Sequence, residues 1–189
     1  IGVTGVQTCA LPISAVLSRA RTYIVGASLD QHGIIIFAGG QDDRSALKDV
    51  DIYNASCKCW TTALLSVARI HIAAASYHDF IVFGGGLGID DVSVDVIDVY
   101  NVRLRSWLTF SLSIARRRTG AASLSRFGAV FFAGGRDSNS FSNVVDILDI
   151  QSGALSTALL GTPREALSAV SLDLYGLVFF AGGRAESSS

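Results

Sequence analysis

The chain repeats itself every 47 or 48 residues, and that period limits the fold more than any other feature. Arg21, Arg69, Arg116 and Arg164 stand 48, 47 and 48 residues apart, and each precedes a serine by seven positions: Ser28, Ser76, Ser123 and Ser171. Glycine pairs close four apolar runs in the same rhythm: "IIIFAGG" at Gly39–Gly40, "FIVFGGG" at Gly85–Gly86, "AVFFAGG" at Gly134–Gly135 and "LVFFAGG" at Gly182–Gly183. A period in the forties belongs to propellers and solenoids, in which each unit is one small supersecondary motif.

Within a period the pattern reads as four strands. A run of small and apolar residues follows each arginine, as in "TGAAS" at 119–123, and leads into a short turn. The next run is almost wholly Ile, Val and Phe, as a strand covered on both faces requires. The glycine pair ends it, where the backbone needs positive φ or a close approach. Polar loops of varying length follow at 41–48, 87–93 and 136–143. An alternating strand comes third ("VDVIDVY", 94–100), and the fourth starts at Trp60 or Trp107. No stretch has helical spacing, so the expected class is all-β.

Half of the 189 residues are hydrophobic and 16% are charged, enough apolar surface for a core and too little polarity for disorder. Fifteen basic and 16 acidic side chains give a net charge of −1, without the basic concentration that nucleic acid or an anionic membrane demands. No apolar run reaches the ~18 residues of a membrane span. Cys57 and Cys59 are one residue apart, read here as too close for an ordinary disulfide and too few for a zinc cage. They are expected to be two free thiols in a turn.

The repeat can be traced back only to about Ser14. Leu17 keeps the leucine position shared by Leu65, Leu112 and Leu160, but the tryptophan position ahead of it falls on Pro12. Val3–Ile13, "VTGVQTCALPI", resembles the conceptual translation of a sequencing adapter. Residues 1–14 are therefore expected to be an artefactual leader, and Cys9 to carry no meaning. The repeats run over 21–68, 69–115, 116–163 and an incomplete 164–189.

A double glycine after an apolar strand, a tyrosine further on and a tryptophan seven residues later resembles the Kelch repeat. Gly39–Gly40, Tyr53 and Trp60 carry it first, then Gly85–Gly86, Tyr100 and Trp107. The third unit departs, with Gln151 read at the tyrosine position, Leu155 at the tryptophan position and a final turn three residues shorter. The resemblance implies a Kelch-type β-propeller, here a fragment of about three and a half four-stranded antiparallel blades. An unclosed ring leaves apolar edges such as Leu177–Ala181, and these would self-associate.

Residues present in every unit are expected to be architectural, because a catalytic group is needed only once. This covers Arg21, Arg69, Arg116, Arg164 and the glycine, tyrosine and tryptophan positions. Asp51, Asp98 and Asp149 are the expected acidic partners of the arginines. Function should lie where the units differ, which is the loops. The second-to-third-strand loops share one side, placing Asp42, Asp43, Arg44, Asp90, Asp91, Arg136, Asp137 and Asn139 together as candidate binding residues. Arg103 and Arg105 fall on the opposite side. The expected partner is another protein, with no cofactor and no catalysis.

Three other features carry less. His32 and His78 sit in neighbouring turns, where a two-histidine metal site is a remote reading. Galactose-oxidase-like chemistry, known on Kelch-type rings, needs a tyrosine–cysteine crosslink that cannot be assembled here. The sequon Asn54-Ala55-Ser56 would allow a secreted or cell-surface propeller binding glycans or matrix partners.

Overall fold

A computed structural model describes residues 17–185. The leader at 1–14, with Cys9, lies outside the described residues. The chain is all-β and antiparallel, built from three four-stranded sheets and a final two-stranded hairpin. The first sheet holds β1 (Val25–Leu29), β2 (Ile34–Ala38), β3 (Asp49–Asn54) and β4 (Cys59–Leu64). The second holds β5 (Ala73–Tyr77), β6 (Phe80–Gly84), β7 (Val96–Asn101) and β8 (Ser106–Ser111). The third holds β9 (Gly120–Leu124), β10 (Ala129–Ala133), β11 (Val144–Asp149) and β12 (Leu155–Leu159). After a short β13 (Arg164–Glu165) come the hairpin strands β14 (Ser168–Leu172) and β15 (Leu177–Ala181), and β16 (Arg184–Ala185) pairs back onto β13. In each sheet the strands lie side by side in chain order, a meander. Among the described residues, no helix is long and apolar enough to cross a membrane.

Successive sheets stack face to face, with β1 against β5, β5 against β9 and β9 against β14. One face of the first sheet (Ile34, Ile36, Ala38, Val50, Ile52) packs on Ile81, Phe83 and Tyr100 of the second. The second packs on the third in the same way, through Val82, Val99 and Tyr77 against Val130, Phe132 and Leu148. Ile36, Phe83, Val82 and Phe132 are wholly buried. Each such side chain contributes about 1.5–3 kcal/mol relative to exposure. The near-continuous Ile, Val and Phe of β6 and β10 thus reflects cover from a sheet on each side, while Ile35 on the open face of β2 is 38% exposed.

The glycine pairs set the sheet spacing. Gly85 has φ +61°, and a Cβ there would lie 2.3 Å from the Arg116 carbonyl oxygen. The second glycine of each pair donates its N–H to the arginine carbonyl of the next unit: Gly40 to Arg69, Gly86 to Arg116 and Gly135 to Arg164.

The side chains of three of the four repeat arginines are buried in ion pairs, and one partner differs from expectation. Arg21 pairs with Asp51 at 2.7 Å, Arg69 with Asp98 at 2.8 Å, and Arg116 with Asp146 rather than Asp149. In register, Phe37 opposes Asp51, Phe83 opposes Asp98 and Phe132 opposes Asp146. Asp149 ends β11 at the position of Asn54 and Asn101, where its Oδ1 accepts from the Gln151 and Ser152 amides in a turn. The same register corrects the tyrosine position. Leu148, not Gln151, stands there, since Leu148 faces Leu155 as Tyr53 faces Trp60 and Tyr100 faces Trp107. The third turn is therefore no shorter than the others.

The cysteines also depart from expectation, for Cys57 and Cys59 form a disulfide. Lys58 between them has φ +53°, and this left-handed step brings the two Cα atoms to 5.2 Å, within reach of a bond.

Candidate interaction rim

Each sheet has two ends, and backbone hydrogen bonds define which loops meet at each. At one rim the loops after β2, β6 and β10 meet the links between sheets, through the glycine-to-arginine bonds described above. Isolated bridges extend the same rim: Thr22 with Gln41 and Gln41 with Ala46, Ile70 with Leu87 and Leu87 with Ser93, Arg117 with Arg136 and Arg136 with Phe141. At the other rim the remaining turns join, Ala55 N–H to Gly33, Val102 to Asp79 and Ile150 to Gly128.

All eight candidate residues lie on the first rim, within three separate loops. Asp42 and Asp137 occupy matching places and shape their loops. The Asp42 Oδ1 accepts from the Arg44 amide at 2.9 Å and the Ser45 amide at 3.0 Å, and its other oxygen meets Arg19. The Asp137 Oδ1 accepts from the Asn139 and Ser140 amides, each at 2.7 Å. Amides from Arg44 and Ser45 hold the Asp42 carboxyl below its usual range, and those of Ser140 and Asn139 do the same for Asp137. Both aspartates are turn-formers, while Asp43, Arg44 and Asn139 project into solvent. Asp90 and Asp91 are exposed with φ of +64° and +57°, a conformation that aspartate tolerates better than most side chains.

The rim also gathers residues that the repeat comparison passed over. The Arg136 guanidinium lies 5.5 Å from the centre of the Phe141 ring, and Arg184 stacks on that ring at 5.7 Å. Arg117 donates to Ser93 Oγ at 3.1 Å. Arg118 approaches the buried Glu165 at 3.4 Å. Two residues beyond each repeat arginine, Tyr23, His71, Arg118 and Ala166 all have φ between +53° and +55°, and Arg118 N–H donates to His71 and Ala166 N–H to Arg118. Burial, and then Arg118 and Arg117, push the His71 imidazole below its ordinary range, against an opposing pull from Glu165. The run "ARRRTG" at 115–120 was the available signal, because only its first arginine belongs to the repeat. The rim is mixed in charge over the first sheet, where Arg19 and Arg44 accompany Asp42 and Asp43; Asp90 and Asp91 make it acidic over the second, and Arg117, Arg118, Arg136 and Arg184 outnumber Asp137 over the third sheet and the hairpin.

The opposite rim is different in kind. The His32 ring meets Asp79 at 2.6 Å, Gln31 Nε2 donates to the His78 carbonyl, and Arg103 approaches Asp79 at 3.5 Å. His32 thus has an acidic partner in place of a second histidine. Among the described residues, no three His, Cys, Asp or Glu side chains are grouped to hold a metal. A cleft of about 380 Å³ opens there between the first two sheets, lined by His32, Tyr100, Arg105 and the disulfide.

No family model matches the sequence. Over 81 residues, 41% of this chain, it is 35% identical to the human Multiple epidermal growth factor-like domains protein 8. That stretch is 3% of the human protein's length.

Proposed function

We propose that this chain is part of a Kelch-type β-propeller, about three and a half blades of it, that binds another protein through one rim and has no chemistry of its own. The observation that carries the reading is the sorting of charge. Three of the four repeated arginines are buried in ion pairs within the sheets, and the eight candidate residues, which do not repeat, stand on three loops of a single rim. Loops of mixed charge on a packed scaffold, with an excess of arginine over the third sheet and the hairpin, suit a polar protein surface.

Proximity labelling with the full-length protein tests this. Reversing Asp43 and Asp91, or Arg136 and Arg184, should remove a shared set of neighbours, and reversing Arg103 on the other rim should not. Equal effects from both rims, or none from either, would refute it. Ring-shaped particles in electron micrographs are expected of the full-length protein, and an open stack of sheets would count against the propeller.

A second reading is a secreted or cell-surface propeller. It is favoured by the Cys57–Cys59 disulfide and the adjoining sequon at Asn54. The human relative is named for epidermal growth factor-like domains, a disulfide-dense class of secreted module. Sensitivity of the native protein's mobility to N-glycosidase would support this placement.

A further inference from the structure

We propose that Cys57 and Cys59 are a reversible dithiol–disulfide couple, opened and closed by small thiols such as glutathione without unfolding the sheet that carries them.

The turn itself carries the inference. The corresponding turns of the second and third sheets have the same shape and no cysteine. Lys58, Arg105 and Gly153 occupy one position and take φ of +53°, +53° and +72°. Each turn opens on a side-chain oxygen that accepts a backbone amide two or three residues on: Asn54 from Ser56 at 2.9 Å, Asn101 from Leu104 at 2.9 Å, and Asp149 from Gln151 at 2.9 Å. Each is also hydrogen-bonded to the neighbouring turn of its own sheet. The conformation therefore belongs to the turn and not to the bond. Closing the disulfide asks no rearrangement of it, and opening the disulfide removes no support that the other two turns possess.

A role as a staple is disfavoured by loop size. Cross-links stabilise by restricting the unfolded chain, and the effect grows with the loop they close. This one encloses a single residue. Access and charge favour exchange instead. Cys57, Lys58 and Cys59 are all exposed, and Arg105 lines the same cleft, a cationic setting that favours thiolate.

The step is ordinary thiol–disulfide exchange. A glutathione thiolate attacks one cysteine sulfur and breaks the Cys57–Cys59 bond, which leaves a mixed disulfide and a cysteine thiolate that takes up a proton. A second glutathione thiolate attacks the sulfur of the bound glutathione, releasing oxidised glutathione and the second cysteine thiol. The pair gains two electrons and two protons, and two glutathione molecules are oxidised to one disulfide.

The test uses the whole chain carrying Cys9→Ser, so that only this pair reports. Equilibrated in glutathione buffers from fully oxidised to fully reduced, then alkylated and weighed, it should pass from zero to two added groups per chain. The reduced and oxidised forms should share one far-UV spectrum and melt within about 2 °C of each other. Three results overturn the proposal: a pair that stays oxidised in reduced glutathione, alkylation that appears only as the spectrum is lost, or a pair that never closes in oxidised glutathione. The outcome is independent of the partner reading, because neither cysteine lies on the candidate interaction rim.

Discussion

The first three sheets and the final hairpin start from nearly the same sequence and reach different ends. Arg116 is wholly buried against Asp146, whereas Arg164 is partly exposed and its guanidinium meets only the Gly182 carbonyl among the described residues. Val82 has no exposure, whereas Phe179, at the matching place on β15, is 53% exposed. The difference is the third strand. It supplies the aspartate that neutralises the arginine, and that aspartate also accepts from the link preceding the arginine, as Asp98 does from the Ser66 amide and Asp146 from Ser113. A buried guanidinium is tolerated only once the incoming link, which carries it, has met the carboxylate of the third strand. The unit of stability is thus a full sheet with its link, not a hairpin.

The most forceful way to break this comparison is at the ion pairs. Asp146→Ala strands Arg116 without a counter-charge and should cost about 3–5 kcal/mol in denaturant unfolding. Arg164→Ala, half-solvated, should cost about 1 kcal/mol or less. Equal losses would mean that burial is not what distinguishes the two arginines.

The glycines give a smaller contrast. Gly85→Ala forces a Cβ into the Arg116 carbonyl at positive φ, for an expected cost of about 2–3 kcal/mol. Gly182 has φ +74° with nothing among the described residues within 4 Å of its missing Cβ, so Gly182→Ala should cost only about 1 kcal/mol from backbone preference. Thermal melts of the two variants side by side decide it.

Acid should sharpen the contrast further. His71 is held below its ordinary range in the fold, so its contribution is present above the unfolded value near 6.5 and fades as pH falls through the folded value. Burial raises the Asp51 carboxyl, but the hydrogen bonds from Ser18 and Arg21 together with the Arg21 charge outweigh it and leave it lowered. Its contribution is present above the unfolded value of about 3.9 and is lost below that. Stability against pH should therefore fall in two steps, the first absent in His71→Asn. A single step in the parent protein would contradict this assignment. The smallest expected effect is Phe179→Ser, within about 0.5 kcal/mol of the parent, with less self-association in light scattering.

Much of this was legible in the sequence, and the failures share a cause. The period, the strands and the buried arginines were readable because each rests on residue types repeated at fixed spacing. The acidic partner of Arg116 was misplaced because the third unit has leucines at 148 and 155 where the others have tyrosine and tryptophan. Without those rings to fix the register, the two aspartates of "VVDILDI" could not be told apart. Pairing through β10 separates them at once. The disulfide escaped because the reading of its spacing took no account of a left-handed residue between the cysteines. The basic half of the rim escaped for the opposite reason. Arg117, Arg118, Phe141 and Arg184 come from two units and match nothing between them, and only the stacking of the hairpin on the third sheet brings them together.

The glycine amide that reaches across to the next unit's arginine carbonyl has a consequence for how such a chain comes apart. Every sheet lends one hydrogen bond and one close backbone contact to the sheet after it, so neighbours fail together while distant sheets do not feel each other directly. Unfolding should then behave as a one-dimensional chain of coupled units. Amide exchange would record this as protection shared within each sheet and greatest in the second, which among the described residues has a four-stranded neighbour on each side.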